Sequence, residues 1–149
     1  MISPPITLGQ GLWTAAWLGL AVSAGAVERT LTIEAPAAVA PGADCPVVLA
    51  AGTDAGQGER IGMFQADFSV DGGRTWTGLV YLNNIEPATR QERVITAGPA
   101  GTSVQVRLRV AFRDGLAGDV DYTGAALRWN GSWGKWAEPP AKLVTVLVR

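Results

Sequence analysis

Three indoles, Trp129, Trp133 and Trp136, crowd the segment RWNGSWGKWAEPP at residues 128–140, with Arg128 and Lys135 among them. Exposed rings of this kind stack on the faces of sugars; buried ones brace a fold and take cations onto their π-faces. Tyr122 lies just upstream and would extend a stacking surface. Asp114, Asp119 and Asp121, in RDGLAGDVDYTG at 113–124, offer hard oxygens of the kind calcium accepts, with glycines that let a backbone curl round an ion. Their spacing is not that of an EF-hand, so a solvated acidic loop is the plainer reading. Asn130-Gly131-Ser132 has the form of a glycosylation sequon, with meaning only in a eukaryotic secretory pathway.

Other chemistries are excluded or weakened by composition. The 149 residues include no histidine, which removes the commonest general base and metal ligand and any Ser-His-Asp or Cys-His arrangement. Cys45, the single cysteine, can form neither an internal disulfide nor a zinc site, and reads as a small side chain at the start of a strand. A net charge of -1 provides no basic field for nucleic acid. Asp67 and Asp71 could be imagined as the paired carboxylates of a glycosidase, but Asp71 has a structural use in a turn. An enzyme is not expected.

These side chains need a scaffold, and the pattern after residue 27 is all-β. Short alternating runs are divided by turn chemistry: RTLTIEA (29–35), CPVVLAAG (45–52), IGMFQADFSV (61–70), RTWTGLVYL (74–82), a weaker run near 90–97, SVQVRLRVAFR (103–113) and KLVTVLVR (142–149). PAAVAPGAD after the first run reads as a break. In 103–113, Val104, Val106, Leu108, Val110 and Phe112 face one way and Gln105, Arg107, Arg109 and Arg113 the other. Seven strands in one domain predict a two-sheet antiparallel sandwich.

Two stretches resemble known motifs. Ser69-Val70-Asp71-Gly72-Gly73-Arg74-Thr75-Trp76 is similar to the Asp-box hairpin, S-x-D-x-G-x-T-W, at every specified position. In sialidases and other propellers that box is a structural turn, which implies the same here and no sialidase activity. Independently of the family, Asp71 can accept backbone N–H groups, glycine supplies the turn geometry, and Trp76 can pack on the hairpin base. The strand order with the C-terminal aromatics resembles a fibronectin type III or related immunoglobulin-like module over 29–149. Trp133-Gly134-Lys135-Trp136-Ala137-Glu138-Pro139 is similar to the W-S-x-W-S segment of cytokine-receptor modules. Gly134 and Ala137 replace that family's serines, so its W-x-x-W geometry is carried over and its function is not. On that geometry Trp133 and Trp136 interleave with Arg107 and Arg109 as a structural ladder. Trp129 lacks such a partner, which makes it, with Tyr122, the candidate ligand contact.

The chain is expected to divide into residues 1–26 and a sandwich domain at 27–149. Residues 11–27, GLWTAAWLGLAVSAGAV, are an apolar run, and Ala24-Gly25-Ala26 would suit cleavage after Ala26, although no basic residue precedes the run. The run is shorter than the ~20 residues that span a bilayer. It is read as a signal peptide or a retained assembly or anchor segment, with membrane contact only through 11–27 if retained. Either reading sends the domain to the cell surface or beyond it. The expected function is a secreted, non-catalytic structural or surface module, self-associating into filaments through its N-terminal segment or binding another surface protein. The alternative is a carbohydrate-binding module using surface tryptophans. No cofactor is expected beyond the calcium considered for Asp114, Asp119 and Asp121.

Overall fold

The computed structural model describes residues 25–83, 85–113, 129 and 137–149. These form strands β1 (Arg29–Glu34), β2 (Ala38–Val39), β3 (Asp44–Thr53), β4 (Arg60–Ser69), β5 (Thr77–Asn83), β6 (Ala88–Thr96), β7 (Ser103–Arg113) and β8 (Lys142–Val148), with no helix among the described residues. Two sheets result, in the orders β1-β3-β6 and β2-β8-β7-β4-β5.

One core lies between them. Leu31, Val47, Leu49 and Ile95 come from the smaller sheet; Phe64, Val106, Leu108, Val110, Phe112 and Val146 come from the larger. These are the alternate residues of each strand, so period two in the sequence becomes one apolar face per sheet. Fully burying a side chain of this size contributes about 1.5–3 kcal/mol, which is what holds the layers together.

Among the described residues the strand count is eight, not seven, and the strands are not all antiparallel. The additional element, β2, lies inside the stretch read as a break. Ala38 and Val39 pair in parallel with Leu147 and Val148. Leu147 N–H donates to the Ala37 carbonyl at 3.1 Å and Arg149 N–H to the Val39 carbonyl at 3.0 Å. Two residues cannot display a period, so their neighbour determines the strand. β5 begins at Thr77 rather than Arg74, because 74–76 wrap round Asp71. β6 is a full nine-residue strand. Its alternation is hidden because Thr89, Gln91 and Arg93 share one side of it, linked through Gln91.

The larger sheet is also buried on part of its outer face. A register shift between Ile61 and Met63 lets Ile61 join the core, while Met63 pairs across β4–β7 with Ala111. Met63 and Ala111 are both 0 % exposed yet stand outside the core cluster. Next along the same face come the cross-strand pairs Gln65–Arg109 and Asp67–Arg107. This face positions the site.

Candidate functional site

The site centres on Arg107. Its guanidinium carbon lies 3.9 Å from the ring centroid of Trp76 and 4.1 Å from that of Trp129. Arg107 Nη2 donates to Asp67 Oδ2 at 3.0 Å, and Trp129 Nε1 donates to the same oxygen at 2.6 Å. One carboxylate therefore holds the cation and one of the two rings that flank it. The Arg107 and Asp67 side chains are 23 % and 14 % exposed, so solvent screens this pair less than an open surface pair. Each ring contact contributes about 0.5–2 kcal/mol, with the upper end reached as water is excluded. Arg107 Nε is buried without a hydrogen-bond partner, a cost the ring contacts help offset.

Local chemistry delivers Trp76. Ser69 Oγ donates to Asp71 Oδ1 at 2.7 Å, and Gly73 N–H donates to Ser69 Oγ at 2.9 Å. Arg74 N–H and Thr75 N–H reach Asp71 Oδ1 at 3.0 and 2.9 Å, while Thr75 Oγ1 donates to Oδ2 at 2.6 Å. The Thr75 hydroxyl, then its N–H and the Ser69 hydroxyl, hold the Asp71 carboxyl well below the usual carboxylate range. Gly72 and Gly73 take φ of +74° and +85°. At Gly73 the positive φ would strain any side chain, and a Cβ 2.7 Å from Gln105 Oε1 would also push the flexible end of that side chain aside. The closed turn sets Trp76 against the sheet, where its Nε1 donates to the Gly73 carbonyl at 3.1 Å.

Arg109 lies two residues along β7 and is buried, paired with Glu138. Glu138 follows Ala137, whose N–H and C=O exchange hydrogen bonds with Phe112 at 3.0 and 2.8 Å. That bridge fixes the chain just before β8. A shallow groove of about 310 Å³ borders the site on the β5 side, lined by Gln65, Asp67, Gly78, Leu79, Val80 and Tyr81.

The expected residues are distributed as follows. Arg107 and Arg109 share the outer face of β7, but their described partners differ: two indoles and Asp67 for the first, Glu138 for the second. Trp129, expected to lack a partner, has Arg107 and Asp67. Ser69, Asp71, Gly73, Thr75 and Trp76 form one closed turn. Tyr122, Trp133 and Trp136 lie outside the described residues, as do Asp114, Asp119 and Asp121. Among the described residues no group of three or more His, Cys, Asp or Glu could hold a metal ion. Sequence reasoning missed the pairing of Asp67 with Arg107 and Trp129, the role of Glu138 and the second role of Trp76. Asp67 was legible in principle, since it is an outward-facing acid on the strand that pairs with β7.

No family model matches the chain, and no curated protein matches it at a significant level.

Proposed function

We propose that this chain is an exported, non-catalytic immunoglobulin-like module, of fibronectin type III-like arrangement, that acts by associating with further copies of itself. The strand order supports the family reading: β1, β3 and β6 in one sheet face β8, β7, β4 and β5 in the other, with hairpin β4–β5 leading away at the edge. The Ser69–Trp76 turn is then an Asp-box-like structural element.

The observation that carries the function is the Arg107 stack. Trp76 and Trp129 both give a ring contact to Arg107, and Trp129 directs its N–H to Asp67. Aromatic area spent in this way braces the sheet and is withdrawn from a sugar platform. Among the described residues the carbohydrate-binding alternative keeps the shallow groove beside Tyr81, and the bracing role of Trp76 and Trp129 favours association. The apolar N-terminal segment supplies the means, since a sandwich has open strand edges that an extended arm can complete.

Light scattering on the full chain and on a variant lacking residues 1–26 tests the proposal. The full chain is expected to form assemblies whose mass rises with concentration, and the shortened one to remain monomeric. Monomers from both at high concentration contradict it.

A further inference from the structure

The larger sheet leaves one strand half covered. β2 pairs only with Leu147 and Val148, so β8 from Lys142 to Val146 has no strand on that side among the described residues. Backbone direction identifies which groups are left over. Leu147 and Arg149 turn their N–H groups toward β2, donating to Ala37 and Val39. Backbone groups alternate along a strand, so Leu143 and Thr145 turn theirs the same way, beyond the end of β2. Neither makes a backbone hydrogen bond on that side among the described residues.

The surroundings suit a strand. Leu143 and Leu147 are 59 % and 49 % exposed on the outer face. Beside the start of β8 runs a groove of about 380 Å³, lined by Arg29–Thr32 of β1 on one wall and Pro139–Lys142 on the other. β1 is itself an edge of the smaller sheet. Both layers of the sandwich are thus open on the same side.

We infer that this edge of β8 is the acceptor site for self-association, and that the occupant is residues 18–23, Leu-Gly-Leu-Ala-Val-Ser, of a second copy. The inference rests on the assembly reading above and specifies where assembly occurs. Exposed N–H and C=O groups at alternate residues call for another extended backbone. The 18–23 segment has the alternation such a strand needs: Leu18, Leu20 and Val22 fall on one side, Gly19, Ala21 and Ser23 on the other. Its large side covers Leu143; its small side fits the space next to β1. The described chain begins beside β1, not beside β8. Glu28 is held in line with β1, with its N–H on Asp54 Oδ1 at 2.7 Å and its carbonyl accepting Asp54 N–H at 3.2 Å.

The test is Thr145→Pro in the full chain. Proline removes the edge donor at 145 and breaks no bond to β7, a position where sheets tolerate it. Wild type is expected to associate and Thr145→Pro to be monomeric with the circular dichroism of the wild type. Hydrogen exchange on wild type is the second readout, and it stands if the variant does not fold. The Leu143 and Thr145 amides should exchange at least about tenfold more slowly in the assembly than after dilution to monomer. Thr145→Pro that assembles like wild type, while removal of residues 1–26 gives monomers, overturns the edge assignment and leaves the assembly reading standing. A wild-type monomer with these amides protected shows the chain's own arm in the groove and overturns the second-copy assignment. A wild-type monomer with both amides unprotected overturns the inference and the assembly reading together.

Discussion

Arg107 is the residue through which most of the outer face is organised. It meets two indoles and one carboxylate, and these come from β4, from the β4–β5 turn and from the segment before β8. Lysine keeps the charge but offers neither a plane to stack nor a fork to share with Asp67. Arg107→Lys is expected to cost about 1–3 kcal/mol, the sum of two weakened ring contacts and a poorer ion pair. Chemical denaturation measures this, and indole fluorescence should shift red as Trp129 loosens from the sheet. An unchanged midpoint would mean that the stack contributes nothing net. The partners of Arg107 were not legible from spacing alone. Asp67 is 40 positions from Arg107 and 62 from Trp129, and only the β4–β7 register brings them together. The ladder expected of Trp133 and Trp136 lies outside the described residues; the rings described on Arg107 are those of Trp76 and Trp129.

At the scale of elements, two connections are pinned by carboxylates. Asp71 closes the β4–β5 turn. Glu59, buried at the start of β4, accepts from Arg29 Nε and Nη2 at 2.9 and 2.6 Å and from the Thr53 hydroxyl. The Arg29 bond, with help from Thr53, holds Glu59 below its ordinary value of 4.5 against the opposing effect of burial. Asp71 is held below its ordinary 3.8. The folded protein therefore binds fewer protons than the unfolded chain as the pH falls. Both contributions are complete above those ordinary values and are lost as the pH drops through the lower folded ones. The melting temperature should hold from pH 7 to about 5 and then fall. A melting temperature flat to pH 2 would contradict this. These elements were legible to different degrees. β7 was readable to its ends because its sequence alternates along eleven residues with Ala111 the one apolar residue on the polar side, and the Ser69–Trp76 turn because its bonds are local. β2 was not, because it is two residues long and depends wholly on β8.

For the molecule as a whole, the two layers form one core bounded by open edges of unequal kind. β6 carries Arg90, Glu92 and Arg93, charges of the sort that discourage pairing. β8 at Leu143–Thr145 carries none, and a groove lies beside it. The all-β class and the shared core followed from period two, because burial on one face is what alternation means physically. The edge proposed for association did not, because which edge stays uncovered depends on how far β2 reaches along β8. Native mass spectrometry of the protein as its cells produce it tests the account most directly, since one spectrum reports both the first residue and the number of chains. The account predicts assemblies whose subunits retain residues 1–26. Monomers that begin at Val27 would contradict it.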